Sequence, residues 1–195
     1  MGFTAIFGGT FNPFHLGHYE MLKALQLDNS IEEIWLMPDR IPPHKECDYM
    51  PLDSDRIKMC EMVASEFSKA KLCLIEFERE GKSYTYDTII HLKQKYPEMD
   101  FVFVCGGDMF VYFPNWYKYK ELMELLPFYV FSRVGTNTQE FKSCYDGFSK
   151  MGMKILINET AISGISSTDF RTTKLPQLLP QKIYDYIKER GIYNV

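Results

Sequence analysis

The 195-residue chain lacks the features that mark extracellular, zinc-binding and membrane proteins. Its five cysteines are scattered and none forms a C-x-x-C pair, which argues against a disulfide framework and against a zinc site. No apolar run reaches the roughly 18 residues that cross a membrane, and no basic N-terminal stretch precedes an apolar one. We therefore expect a cytoplasmic protein with free thiols.

An excess of positive charge is also missing. The chain has 22 Lys and Arg against 26 Asp and Glu, a formal net charge of −4. This balance argues against nucleic acid held by bulk electrostatics. Any phosphate ligand must therefore be held by local geometry. With 46% apolar and 25% charged residues, and no repeat or linker, residues 1–195 are expected to form one domain around a full core.

Short apolar segments alternate with segments of helical periodicity along the whole chain. We predict strands at residues 3–7, 31–37, 72–77, 101–105, 128–131 and 154–157. We predict helices at residues 16–27, 85–95, 116–126, 139–150 and 181–190, and one more that Asp53 caps. This alternation predicts an α/β fold with a Rossmann-like, doubly wound parallel sheet, helices on both faces and a small C-terminal helical extension, about residues 166–195. Ligands of such sheets bind beyond the carboxyl ends of the strands, where the strand order reverses.

The loop after the first strand is the strongest functional signal. Residues 8–18 read GGTFNPFHLGH. The glycines let backbone N–H groups approach a ligand closely, and the start of the following helix favours an anion. His15 and His18 can donate hydrogen bonds to phosphate oxygens. They could instead be metal ligands, but the loop has no carboxylate, so phosphate is favoured.

A second phosphate-binding pattern lies far along the chain, where residues 165–171 read ISSTDFR. Ser and Thr before an apolar helical residue predict a capped helix start whose hydroxyl and N–H groups can face phosphate. Arg171 can reach the same anion with its planar set of donors. Alone, this segment is equally well an ordinary capped helix with a surface arginine.

Three further segments limit the range of substrates that the site could bind. PPHK at residues 42–45 puts Lys45 on a stiff backbone where a second phosphate could bind. Residues 83–88 read SYTYDT and begin a helix that Thr85 or Asp87 could cap. Gly106-Gly107-Asp108 follows a strand, with Trp116 close behind. Asp108 could bond ribose hydroxyls and the indole could stack on a flat ring, although a helix cap and core packing are the simpler alternatives for these two residues.

The arrangement of the loop at residues 8–18 resembles the first signature of the HxGH nucleotidyltransferases, and ISSTDFR resembles their second. With the three further segments, the chain resembles the bacterial nicotinate-nucleotide adenylyltransferases over almost its whole length. It departs from the family pattern at three positions. Asn12 stands where aspartate is common, Phe14 where proline is frequent and Phe170 where an aliphatic residue is usual.

The resemblance implies transfer of the adenylyl group of ATP to nicotinate mononucleotide, giving deamido-NAD and pyrophosphate, with Mg²⁺ held mainly by the ATP phosphates and by no protein metal site. It implies small-molecule partners, neither nucleic acid nor membrane, and leaves a homo-oligomer open. The catalytic residues it implies are His15, His18 and Arg171. The ATP site would comprise Gly8, Gly9, Thr10, Phe11, His18, Gly106, Asp108, Ile165, Ser166, Ser167, Thr168 and Arg171. The mononucleotide site would comprise Lys45, Tyr84, Thr85, Trp116 and Tyr117.

Three alternatives share part of this evidence. Pantetheine-phosphate adenylyltransferases and cytidylyltransferases have the two end signatures but not PPHK together with the Tyr-Thr-x-Asp-Thr segment. A non-catalytic nucleotide-binding module would have less need of His15, His18, Lys45 and Arg171. A class I tRNA synthetase fragment would carry a similar histidine loop, but this chain is short and acidic and has no KMSKS-like lysine loop.

Overall fold

A computed structural model describes residues 2–42, 49–132 and 138–195. In these residues six parallel strands form one sheet in the order β3-β2-β1-β4-β5-β6. The strands are β1 (Phe3–Gly9), β2 (Ile31–Pro38), β3 (Ala70–Leu72), β4 (Phe101–Gly106), β5 (Phe128–Phe131) and β6 (Ile155–Asn158). The doubly wound α/β sheet that the sequence predicts is confirmed.

The helices cover both faces of the sheet. They are α1 (Leu16–Leu27), α2 (Asp53–Ala64), α3 (Thr85–Lys95), α4 (Gly107–Tyr112), α5 (Tyr119–Leu125), α6 (Gln139–Lys150), α7 (Ser167–Thr173) and α8 (Gln181–Arg190). One core cluster contains apolar residues of α1, α2, α7 and α8, and the other contains those of α3 to α6.

Strand β1 lies at the centre of the sheet and belongs to both cores. Ala5 and Phe7 are buried in the cluster with α1 and α2, whereas Ile6 is buried in the cluster on the opposite face. This alternation follows from the two-residue period of a strand, which sends successive side chains to opposite faces. Because the strand order reverses between β1 and β4, the loops after these two strands diverge and leave a crevice at the carboxyl edge.

Three predicted elements differ in the structure. The third strand is Ala70–Leu72, not residues 72–77, and Ile75–Glu78 form a 3-10 turn because only three residues pair along this edge of the sheet. The helix predicted at residues 116–126 begins at Tyr119, since Lys118 before it adopts a left-handed backbone with φ of 50°. The short helix α4 was not predicted.

The predicted caps of two helices are also wrong. The cap of α2 is Leu52, and Asp53 lies inside the helix, where its carboxylate pairs with Arg56. The cap of α3 is Tyr84, and in the described structure no side-chain hydrogen bond caps it. Thr85 and Asp87 therefore lie within the first turn of α3.

Candidate active site

A cavity of about 280 Å³ opens at the carboxyl edge, between the loops after β1 and β4. Sixteen of the residues predicted for the site line it: Gly8, Gly9, Thr10, Phe11, His15, His18, Tyr84, Thr85, Gly106, Asp108, Trp116, Tyr117, Ser166, Ser167, Thr168 and Arg171. Ile165 does not line the cavity, so its inclusion in the ATP site is not supported by the geometry. Lys45 lies outside the described residues.

The first turn of α1 is built from the two histidines. The backbone N–H of His18 donates to His15 Nδ1 over 3.3 Å, and the backbone N–H of His15 donates to His18 Nδ1 over 3.4 Å. The two rings stack with their centroids 3.6 Å apart. Because each Nδ1 accepts a hydrogen bond, a neutral ring carries its proton on Nε2. Each histidine can therefore offer an Nε2–H to an anion in the cavity.

Two glycines allow close approaches that a side chain would obstruct. A Cβ on Gly17 would lie 3.1 Å from Nδ1 of His15 and 3.3 Å from the carbonyl oxygen of Ile165. A Cβ on Gly9 would lie 3.1 Å from the ring of Phe11. Glycine is thus required where the loop before α7 meets α1, and where the Phe11 ring folds back on the loop.

The phosphate-binding loop has an aromatic base. Phe11 has a left-handed backbone, with φ of 46°, and its ring is buried and stacked on Phe14 at 5.2 Å. The ring of His18 packs edge-on against Phe7 and Phe11, at 6.0 and 5.0 Å. This packing orients the imidazole. The stacking also accounts for phenylalanine at position 14, where proline is frequent in the family, because the Phe14 ring fills a core position beneath the loop.

Helix α7 is hydrogen-bonded directly to that loop. Ser167 Oγ donates to the carbonyl oxygen of Pro13 over 2.9 Å. Arg171 donates from Nη1 to the carbonyl oxygen of Asn12 over 2.6 Å and from Nη2 to Thr168 Oγ1 over 2.9 Å. Residues more than 150 positions apart in sequence are thus joined, and the guanidinium is oriented before any ligand binds.

Ser166 caps α7, as its sequence predicts. Its hydroxyl accepts from the backbone N–H of Asp169 over 3.2 Å, and its own backbone N–H donates to the carboxylate of Asp169 over 2.8 Å, which completes a capping box. The hydroxyl also donates to that carboxylate over 2.7 Å. The Ser166 hydroxyl is therefore already used by the cap. The backbone N–H of Ser166 is used by the cap as well. Ser167 uses its hydroxyl within the protein, so its backbone N–H at the helix start is the donor that remains for an anion.

A buried arginine that sequence reasoning missed supports the loop from below. Arg56 on α2 is fully buried and donates from Nη1 to the carbonyl oxygen of Thr10 over 2.9 Å and to Asp39 over 3.2 Å. Its Nη2 bonds the Asp53 carboxylate over 2.5 Å. Asp39 in turn accepts from the hydroxyl of Thr10 over 2.8 Å. Two carboxylates around one guanidinium balance a charge that could not otherwise be buried.

The other end of the cavity is aromatic. The rings of Tyr84 and Tyr117 lie 4.7 Å apart. Trp116 packs edge-on against Phe103 and Phe113, at 5.6 and 5.5 Å, and also lines the cavity, so it serves both core and pocket. Among the described residues, its buried indole N–H has no hydrogen-bond partner.

A second unforeseen group lies beside this aromatic end. Glu76 is buried, lines the cavity and is hydrogen-bonded through Oε1 to the hydroxyl of Thr88. Burial raises the pKa of its carboxyl, while hydrogen bonds from Ser83 and Thr88 partly offset that effect. Arg79 donates to Thr88 over 2.8 Å. Glu76 falls in a segment predicted as a strand, so only the three-dimensional structure associates it with the site.

The described lining of the cavity contains a thiol, Cys105, but no activated nucleophile for covalent catalysis. Burial raises the pKa of Cys105 far above its ordinary value, and the nearby Asp108 acts in the same direction, so the thiol stays protonated. Within the described ranges, no group of three or more His, Cys, Asp or Glu is arranged to hold a metal ion. The site is suited to binding anions and flat rings.

In the part of the chain that the structure describes, no helix has the length and apolar character to span a bilayer.

Comparisons with known proteins agree with this geometry. A family model described as cytidylyltransferase-like matches residues 6–173. The chain is 36% identical over 194 residues to the nicotinate-nucleotide adenylyltransferase of Bacillus subtilis (strain 168), covering 97% of each protein. It is 36% identical over 191 residues to the probable nicotinate-nucleotide adenylyltransferase of Bacillus mycoides (strain KBAB4), again covering 97% of each. Its fold is similar to that of Plasmodium falciparum nicotinic acid mononucleotide adenylyltransferase complexed with NaAD, with a TM-score of 0.85, 22% identity, and coverage of 100% of this chain and 98% of that one.

Proposed function

We infer the reaction of this chain from its family: it belongs to the cytidylyltransferase-like family and, within it, to the nicotinate-nucleotide adenylyltransferases. It joins ATP and nicotinate mononucleotide into deamido-NAD and releases pyrophosphate. A phosphate oxygen of the mononucleotide attacks the α-phosphorus of ATP in line. The bond from that phosphorus to the bridging oxygen breaks, and pyrophosphate leaves with the electron pair. The protein is an enzyme of NAD biosynthesis.

One observation supports this function above the others. Two phosphate-binding segments, at residues 8–18 and 166–171, are hydrogen-bonded to each other on one side of a cavity whose other end is lined by aromatic rings. A nucleoside triphosphate needs the first feature and a pyridine ring needs the second. The attacking phosphate is already an anionic nucleophile, so no general base or covalent intermediate is required. Catalysis then consists of positioning and charge stabilisation.

The roles of the phosphate-binding residues follow from the donors that each can present to the cavity. His15 and His18 would bind the ATP phosphates through Nε2–H, with His18 nearest the α-phosphate as negative charge develops there. Ser167, Thr168 and Arg171 would hold the β- and γ-phosphates, together with backbone N–H groups of residues 8–10 and of Ser167. Arg171 keeps its cationic charge close to the leaving pyrophosphate while its two Nη atoms remain bonded within the protein.

The remaining residues would bind the two nucleosides and the second phosphate. Asp108 and the backbone at Gly106 would meet ribose, and Lys45 would hold the phosphate of the mononucleotide. The nicotinate ring would lie among Tyr84, Trp116 and Tyr117, a flat apolar setting in which aromatic contacts are favourable. Backbone N–H groups at Thr85 and the unpartnered indole N–H of Trp116 are donors for its carboxylate.

A divalent metal accompanies ATP in nucleotidyltransferases, and we propose Mg²⁺ for this one. The donor set fits a cation carried by the triphosphate, since Asp39 and Asp108 line the cavity but form no cage among the described residues. Mg²⁺ usually binds through substrate phosphates and one or two carboxylates. When bound, it would neutralise charge on the leaving pyrophosphate.

We further propose that the chain works as one domain in the cytoplasm, with its small-molecule substrates as partners and without nucleic acid. The described cysteines Cys60, Cys73, Cys105 and Cys144 are all free thiols, which supports a reducing compartment. The acidic balance of the chain, with a formal net charge of −4, supports the exclusion of nucleic acid.

A single assay tests the reaction and its substrate class. Pyrophosphate release is measured with ATP and, in turn, nicotinate mononucleotide, nicotinamide mononucleotide or phosphopantetheine. We expect fast release with nicotinate mononucleotide, slower release with the amide and none above background with phosphopantetheine. Equal rates with phosphopantetheine would show a different adenylyltransferase. Binding of ATP without release in any mixture would show a non-catalytic module.

A further inference from the structure

Asn12 is a junction of three chain segments. Its side chain is buried, with 2% exposed. The amide nitrogen Nδ2 donates to the carbonyl oxygen of Tyr49 over 3.0 Å, and Oδ1 accepts from the hydroxyl of Tyr193 over 2.7 Å. The carbonyl oxygen of Asn12 accepts from Arg171 over 2.6 Å. One residue of the phosphate-binding loop thus meets the chain before α2, helix α7 and the segment after α8.

The amide is chemically matched to this junction. An asparagine side chain offers both a donor and an acceptor, and the junction uses each of them once. A carboxylate could accept from Tyr193 but could not donate to the carbonyl oxygen of Tyr49. These two hydrogen bonds therefore give a structural reason for asparagine at position 12, where aspartate is common in the family.

Tyr193 is held firmly in its place. Its side chain is 2% exposed, and its ring packs edge-on against Phe170 and Tyr49, at 5.8 and 5.3 Å. The chain reaches this position through left-handed backbone at Gly191, with φ of 61°, and at Tyr193 itself, with φ of 62°. Burial raises the pKa of the Tyr193 phenol well above its ordinary value, so its hydroxyl remains a donor.

We propose that Tyr193 is a positioning residue for the triphosphate end of the site, acting through Asn12 on the phosphate-binding loop and on Arg171. Its hydroxyl fixes the side chain of Asn12, and the backbone of Asn12 fixes the guanidinium of Arg171. Without that hydroxyl, Oδ1 of Asn12 would be buried without a donor, and the loop would be free to shift. A small displacement of groups that hold the reacting phosphate is enough to slow transfer. This inference rests on the proposed adenylyl transfer.

The test compares Tyr193→Phe with a matched control, Tyr186→Phe. Tyr186 lies on α8 and donates to the buried carboxylate of Asp55 over 2.7 Å, so its variant also loses one partly buried tyrosine hydrogen bond near α2. We expect Tyr193→Phe to lower kcat about tenfold and to raise KM for ATP, with KM for nicotinate mononucleotide unchanged within about twofold. The Kd for ATP from calorimetry should rise with KM. Tyr186→Phe should lower the melting temperature similarly and keep wild-type kinetics.

Two outcomes of this comparison would overturn the proposal. The first is Tyr193→Phe with the same kinetics and ATP affinity as Tyr186→Phe. The second is an effect on the mononucleotide as large as that on ATP. Release of pyrophosphate by the wild-type protein separates these results from a failure of the proposed function, in which the wild type itself would be inactive.

A double-mutant comparison tests the route through Asn12. If Tyr193 acts through it, Asn12→Ala combined with Tyr193→Phe should lose no more kcat/KM for ATP than Asn12→Ala alone, within about twofold. If the double variant instead loses kcat/KM for ATP by the product of the two single losses, Tyr193 does not act through Asn12. If Tyr193→Phe does not fold, Asn12→Ala alone must raise KM for ATP and leave KM for the mononucleotide unchanged, and an unchanged KM for ATP overturns the proposal.

Discussion

His15 and His18 each perform two tasks with one ring. On the Nδ1 side, each accepts the backbone N–H of the other residue and so completes the start of α1. We assign the Nε2 side of each ring to the ligand. The helix start therefore sets both the position and the tautomer of the groups that we assign to the ATP phosphates.

The first prediction concerns His18, the imidazole assigned to the α-phosphate. His18→Ala should lower kcat by about 10²-fold or more, because a donor to the developing charge is lost. The protein should still fold, since the lost capping bond contributes only about 1 kcal/mol.

Steady-state kinetics and thermal unfolding check this prediction, with His91→Ala as the control. His91 lies on α3 near Glu78 and does not line the cavity. Turnover close to wild type in His18→Ala would remove that residue from the transition state.

At the scale of elements, the sequence was most informative where a pattern is local. The alternation of apolar strands and amphipathic helices depends on nearby residues, and so does the cap of α7, and these predictions agree with the structure. The predicted glycine turn is wrong, because Gly8 and Gly9 pair with β2 as the last residues of β1 and the chain turns only at Asn12 and Pro13. The starts of two helices were predicted wrongly, each because of a detail that the apolar pattern does not specify. Helix α2 begins at Asp53 because that carboxylate pairs with Arg56, and α5 begins late because of the left-handed Lys118.

Helix α2 gives the second prediction, through the buried guanidinium of Arg56. Arg56→Met should lower the free energy of unfolding by roughly 3–5 kcal/mol, because Asp39 and the carbonyl oxygen of Thr10 lose their buried partner. It should also lower activity, since Thr10 belongs to the phosphate-binding loop.

Urea unfolding measures this loss, and Lys58→Met on the same helix is the control. Lys58 pairs with Glu61 at the surface, over 2.8 Å, and its removal should change stability by less than about 0.5 kcal/mol. Equal free energies of unfolding for the two variants would show that Arg56 does not stabilise the phosphate-binding loop.

At the scale of the whole molecule, the site is assembled from residues that span positions 7 to 171. The two signature segments could be found in the sequence because each is a short run of chemically telling residues. Arg56, Glu76 and Tyr193 could not be found in this way. Each is an isolated polar residue in an apolar or helical segment, and its role comes from contacts with distant parts of the chain.

The whole-molecule prediction is stabilisation by the product. Deamido-NAD should span the cavity from the two histidines to Trp116 and bind only the folded state. At 100 times its Kd it should contribute about 2.7 kcal/mol to stability. For a domain of this size the melting temperature should rise by about 5–10 °C.

Differential scanning fluorimetry measures this rise, with nicotinate at the same concentration as the control. Nicotinate can occupy only the aromatic end and should raise the melting temperature by less than about 1 °C. Equal shifts for the two ligands would contradict a site that holds both halves of the product.

The position of β1 has a consequence for protein engineering. Ala5 and Phe7 pack with α1 and α2, whereas Ile6 packs with helices of the other face. Adjacent residues of one strand therefore contact separate sets of side chains. A redesign library can therefore vary positions 5 and 7 together with the α1 and α2 interior while position 6 and its neighbours stay fixed. The face of the sheet beneath the histidines and the face beneath Trp116 can be optimised as two independent problems.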